Sequence, residues 1–129
     1  MGISTSFIKK LIDSMTSCTQ LVHFGSLSMK ANGEVLMYLF RRLTRMVNLE
    51  TSFFWFREIE DVEGKEDEMQ IERLFGTIYS SVTSLSRLRS LSLMMPFDFD
   101  EDEVESLKYS IRSKNKRLGL SIEPNLDNL

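Results

Sequence analysis

The chain of 129 residues has one cysteine, Cys18, and one histidine, His23. A single cysteine excludes an intramolecular disulfide framework and every zinc pattern built from several thiolates. A single histidine excludes sites that need two imidazoles. Its six glycines are scattered and make no phosphate-cradling loop. No apolar run approaches the roughly 18 residues that a membrane span requires. Residues 7–16 mix apolar and basic positions and do not read as a signal-peptide core. Asn32, Asn48, Asn115, Asn125 and Asn128 all lack the hydroxyl residue of a glycosylation sequon. The net charge of −3 gives no basic footprint for nucleic acid, so none is expected as a partner. These absences place the chain in a reduced intracellular compartment, the cytoplasm, with no cofactor expected. One short pattern stands apart. Met1-Gly2-Ile3-Ser4-Thr5-Ser6 fits the myristoylation consensus, so a weak lipid anchor at Gly2 and a chance Met-Gly start both stay open.

What is present suffices for folding. Hydrophobic residues make up 42% and charged residues 27%, in a length that suits one domain, 1–129. Ile71, Leu74, Phe75, Ile78 and Val82 recur at three and four residues, the stripe of an amphipathic helix. A short turn then leads into Leu88, Leu91 and Leu93, spaced L-x-x-L-x-L as in a strand. Residues 34–56 repeat this plan, with Leu36, Leu39, Leu43 and Met46 on the helix and Leu49, Ser52 and Phe54 in the strand. Counted back from Leu49 and Leu88, the pairs Leu39/Ile78, Leu43/Val82 and Met46/Leu85 share offsets of 10, 6 and 3.

An earlier unit places Leu11, Met15 and Cys18 at the same offsets before Leu21. Its strand register has two readings, one continuing from Leu21 through Phe24 and Ser26, the other using Phe24, Leu27 and Met29. A shorter fourth unit has Val104, Leu107 and Ile111, then Leu118, Leu120 and Ile122. Strands are expected near 21–27, 49–55, 88–94 and 117–122, paired in parallel through helical crossovers. The charge-dense stretch 57–68 reads as an acidic loop insertion between the second and third units.

This pattern resembles the leucine-rich repeat family, in particular its ribonuclease-inhibitor-like subclass with long helical units. The resemblance spans about residues 7–122. Leu88–Leu93 matches fully, Ser52 stands where an aliphatic residue belongs, and the Asn or Cys that follows the family's strand is missing. The resemblance implies an α/β solenoid, with a parallel sheet on its concave side, helices on its convex side, and protein binding as its work. The competing fold is an ordinary small α/β or α+β sandwich.

The resemblance makes the concave strand positions contact candidates: His23 and Gly25; Thr51, Phe53 and Trp55; Arg89, Ser90 and Ser92; Gly119 and Ser121. Phe53 and Trp55 stand out because aromatic residues, Trp especially, are enriched at binding hot spots. The alternative is that a neighbouring loop such as 57–68 folds over them. Cys18 shares the offset of Met46 and Leu85 and is expected to be a small buried hydrophobe. The carboxylates of 98–105 lack the central glycine and final glutamate of an EF-hand loop. They read as the N-terminus of a helix, where acidic residues are favourable, and no metal is expected. Arg41, Arg42 and Arg45, and the group Arg112, Lys114, Lys116 and Arg117, read as exposed helix faces and helix ends.

No acid, base and nucleophile can be assembled, so catalysis is not expected. The expected function is a non-catalytic protein–protein interaction module. The alternatives are a structural subunit of a large assembly and a fragment of a longer repeat receptor or adaptor. Phe7, Ile8, Leu11 and Ile12 span more than one sheet contact requires. That side is expected to be covered by another subunit, a copy or further repeats, unless the helix caps its own stack. Pro124 and the polar tail behind it read as a stop.

Overall fold

The computed structural model describes residues 5–57, 68–96 and 99–124. The candidate anchor at Gly2, Asp98 of the acidic run, and residues 58–67 of the acidic insertion lie outside them. Helices and strands alternate: α1 (Thr5–Thr16), β1 (His23–Lys30), α2 (Gly33–Leu43), β2 (Thr51–Arg57), α3 (Glu68–Ser84), β3 (Ser90–Met95), α4 (Glu101–Lys114) and β4 (Gly119–Pro124). The four strands form one sheet in chain order, β1-β2-β3-β4, and every pair is parallel. The helices pack side by side in the same order. This is an α/β fold with a parallel sheet and four helices.

The helical stripes supply the core. Leu39 and Leu43, Ile78 and Val82, and Leu107 and Ile111 are buried, as their spacing predicts. Opposite them the sheet contributes Phe54 and Phe56, Leu91 and Leu93, and Leu120 and Ile122. Each fully buried side chain of this size is worth about 1.5–3 kcal/mol. Phe54 stacks on Phe56 and meets Phe24 edge-on, each at 5.5 Å between centroids. Helix ends follow local chemistry. Asn32 caps α2 by accepting from the Val35 amide, and Asp100 caps α4 by accepting from the Asp102 amide. Glu101, Asp102 and Glu103 fill the first turn of α4, and Arg112 and Lys114 its last.

Each unit is also tied to the one before it at the turn entering its strand. Asn48 Nδ2 donates to the Thr19 carbonyl, Arg87 Nη1 to Asn48 Oδ1, and Asn115 Nδ2 to the Leu88 carbonyl. Ser52, in the aliphatic slot, is buried, and its hydroxyl donates to the Phe24 carbonyl at 2.8 Å. A hydroxyl is tolerated there because the neighbouring strand accepts its proton. Between α1 and α2 a polar group adds to the apolar core. The Tyr38 hydroxyl donates to Asp13, Arg42 Nε reaches Asp13 at 3.1 Å, and Lys9 bridges Glu34 at 2.7 Å. The hydrogen bond to Asp13, then burial, raises the Tyr38 pKa above its ordinary value, against the opposing pull of Arg42 and Lys9.

The first unit corrects one expectation. Cys18 is exposed, not buried. Leu11 and Leu21, which share offsets with core residues of the later units, are exposed at 45% and 38%. Helix α1 buries Ile8, Ile12 and Thr16 instead. Of the two readings of the first strand, the one through Phe24 and Ser26 gives the register, and the one that sets Met29 opposite Phe54 does not. Phe24 pairs with Ser52 and Ser26 with Phe54, then a bulge shifts the register so that Met29 pairs with Phe56. All four strands begin two residues later than expected, because Leu49, Leu88 and Leu118 sit buried in the turns ahead of them.

Candidate functional site

Side chains alternate across a strand, and here the two sets have different company. Along β2, Ser52, Phe54 and Phe56 are buried under the helices, while Phe53, Trp55 and Arg57 are exposed on the other side. The register assembles that helix-free face in rows. His23, Thr51, Ser90 and Gly119 form the first row. Gly25, Phe53, Ser92 and Ser121 form the second, and Trp55, Met94 and Glu123 the third. Lys30 and Arg57 pair beyond Trp55. Most of the residues expected to line one face are therefore brought together. Arg89 stands one residue ahead of β3, at the rim, where its Nη2 reaches Glu50 Oε1 at 2.5 Å.

The centre of the face is aromatic and its surround is small. Phe53 and Trp55 keep 42% and 43% of their surface exposed. In register with Phe53 stand Gly25 and Ser92, which carry little side chain to cover it, and Trp55 stands beside Met94. Gly25 does more than make room. A Cβ at that position would lie 2.3 Å from the Phe53 carbonyl oxygen and 2.8 and 2.9 Å from two atoms of its ring. The Phe53 ring therefore leans over the bare backbone of Gly25, which holds it in one orientation. In the row beneath, His23 Nδ1 and Thr51 Oγ1 lie 2.5 Å apart.

The sequence reading missed Met94, Lys30, Arg57 and Glu123 on this face. Two-residue alternation identifies Met94, and also Arg57 and Glu123 once their strands are carried to their true ends, whereas Lys30 reaches this face only through the bulge between Ser26 and Met29. Lys30 and Arg57 are notable because like charges directly opposite on neighbouring strands are unfavourable. Together the face offers two aromatic rings and a thioether for apolar side chains, with two cations beside Trp55 for anionic groups. The expected alternative cover, the 57–68 loop, lies outside the described residues apart from its end residues.

Among the described residues, no three His, Cys, Asp or Glu side chains converge as a metal-binding group. None of the helices is long and apolar enough to cross a membrane. Comparison with protein-family models, with curated proteins and with solved structures finds no match for this chain.

Proposed function

We propose that this chain is a non-catalytic protein-interaction module of leucine-rich-repeat type, and that its helix-free sheet face is the contact surface. The observation that carries the reading is the exposure of Phe53 and Trp55 on the inner strand β2, with Phe53 between Gly25 and Ser92 and Trp55 beside Met94. Desolvating such rings against a partner gives a hot spot of the usual composition. The Lys30–Arg57 pair adds the second half of the recognition, because an acidic group on the partner relieves their mutual repulsion. The partner chemistry is therefore an apolar side chain for the Phe53–Trp55–Met94 strip, flanked by carboxylates for Lys30 and Arg57. His23, Thr51, Ser90, Ser92 and Arg89 frame that contact. A reducing compartment, the cytoplasm, suits the lone exposed thiol.

A photo-crosslinking amino acid at position 92, compared with one at position 109 on the helical side, tests this directly. Crosslinks to an acidic, apolar-bearing partner from position 92, lost when Phe53→Ser and Trp55→Ser are combined, support the reading. Crosslinks from position 109 alone, unaffected by that double substitution, favour the second reading, a structural subunit of a larger assembly. That alternative draws on the helical side, where Tyr109 of α4 is 78% exposed.

A further inference from the structure

Helices α2 and α3 pack side by side without closing on one another along their outer faces. Arg73, Thr77, Ser80 and Ser84 recur at three and four residues along α3, a polar stripe beside the buried one of Leu74, Ile78 and Val82. Thr77, Ser80 and Ser84 are too short to fill the space opposite Arg41 and Thr44 of α2. A groove of about 720 Å³ remains between the helices. Gly76 lowers its outer rim. It stands inside a helix of 17 residues, where glycine is unfavourable, yet a Cβ there would meet nothing within 4 Å. Packing therefore gives no reason for the glycine. The neighbouring groove between α3 and α4 also opens at Gly76, so bare backbone lets an extended segment cross α3 between the two.

The lining of the first groove carries charge of one sign. Arg41 and Arg73 both reach it, and none of the described residues lining it is an aspartate or glutamate. Arg42 is matched to Asp13 and Arg89 to Glu50, whereas Arg41 and Arg73 have no ion-pair partner among the described residues. Hydroxyl groups complete the walls. Thr44 and Ser84 give their protons to the Arg41 and Ser81 carbonyls, each at 2.7 Å. The Thr77, Ser80 and Ser81 hydroxyls donate to nothing among the described residues. Ser81 is only 3% exposed, and no buried polar side-chain atom among those residues is left unpaired. Its hydroxyl is therefore the part that opens into the groove it lines. Guanidinium forks beside free hydroxyl donors, with no carboxylate to compete, make the donor set of a phosphoryl site.

We propose that the α2–α3 groove binds a phosphoserine or phosphothreonine carried on an extended segment of a partner protein. Arg41 and Arg73 pair with the phosphoryl oxygens from the two walls, and the Thr77 and Ser81 hydroxyls donate to them. Other anions fit less well. The wall follows α3 from Arg73 to Ser84, roughly 16 Å at the helical rise, which is longer than a free phosphate needs. A membrane or nucleic acid presents many negative charges to a chain whose own net charge is −3. A peptide brings one phosphoryl group to the arginines and lays its flanking residues along the rest of the groove. This groove is on the helical side, so the inference does not depend on the reading of the open sheet face.

A peptide array probed with the labelled chain tests it. The array carries varied sequences, each with a central serine or threonine, unmodified and phosphorylated. The expected result is capture by phosphorylated spots only, and fluorescence anisotropy then measures the strongest of them. Arg41→Gln and Arg73→Gln, at exposed positions, are each expected to weaken that peptide by about tenfold or more with an unchanged circular dichroism spectrum. Ser80→Glu sets a carboxylate on the groove and gives a second reading, with the same loss expected. Phe53→Ser, on the other side of the molecule, is expected to change nothing. Equal capture by modified and unmodified spots, or capture by neither, overturns the inference. So does phosphate-dependent binding that survives both arginine substitutions. Inorganic phosphate binding as tightly as the peptide, or binding only to phosphatidylcholine vesicles that contain a phosphoinositide, overturns the peptide as occupant.

Discussion

Replacing Gly25 by alanine tests whether the open face is held in place by its own backbone. Residue 25 pairs with Phe53, and no unusual backbone angle accounts for the glycine. Space does. The added Cβ meets the Phe53 carbonyl oxygen at 2.3 Å and its ring at 2.8 Å. Overpacking of this kind costs about 1–3 kcal/mol. A backbone oxygen cannot rotate aside, so the upper part of that range applies, about 2–3 kcal/mol. Against it, alanine restricts the unfolded chain and returns about 0.4–1 kcal/mol. The net loss is then about 1–2.5 kcal/mol, or a fall of roughly 4–10 °C in the melting temperature of a domain this size. Circular dichroism melts measure it, and quenching of Trp55, the only tryptophan, reports the displaced neighbour. Adding Phe53→Ala removes the ring but leaves the carbonyl, so the double variant is expected to recover stability in part. Wild-type stability in Gly25→Ala refutes the clash. Complete recovery in the double variant refutes the role given to the backbone oxygen.

Leu43→Ala and Leu91→Ala each empty a site exposed by 2% and are expected to cost about 2–5 kcal/mol in chemical denaturation. Shifts near zero for both would refute the core assignment. Ser52→Ala removes the hydroxyl that donates to the Phe24 carbonyl and is expected to cost about 1 kcal/mol. An unchanged denaturation midpoint would mean that this bond contributes nothing. Tyr38 holds its proton more tightly in the folded chain than its ordinary value of 10.0 allows. Its contribution is therefore whole below that pH and is lost as pH rises through the higher folded value. Amide exchange in α1 is expected to quicken across that alkaline window in the wild type, and Tyr38→Phe is expected to abolish the transition.

The parts of the fold that depend on local pattern were readable from the sequence. The helix stripes at 36–43, 71–82 and 104–111 met the sheet as their period required, and Leu91, Leu93, Phe54 and Ile122 fell on the buried side. Two-residue alternation around Phe53 and Trp55 also separated the two faces of β2 correctly. The lost detail lies at the strand boundaries. Leu49 and Leu88 are apolar because they plug the turns, so spacing alone counted them as strand. Starting two residues early also stopped the expected second strand before Arg57, and Lys30 and Arg57 went unnoticed as a pair.

The failure in the first unit has a different origin. Cys18 stands at the same offset as Met46, and spacing alone gives no sign that one is exposed and the other buried. In a stacked arrangement each unit's apolar edge is buried by the unit beside it, so burial belongs to the interface and not to the residue. A repeat pattern therefore reports which positions are suited to burial, and the structure reports which have a partner. The two disagree at Cys18, whose spacing suits burial and whose side chain is exposed. The same reasoning separates the two apolar exposures of this chain. Phe53 and Trp55 have no buried counterparts in register, since Ser92 and Met94 occupy those places on β3. They are additions to the pattern, suited to a partner of different chemistry, whereas Leu11 and Leu21 stand at positions whose equivalents Leu39 and Leu49 are buried.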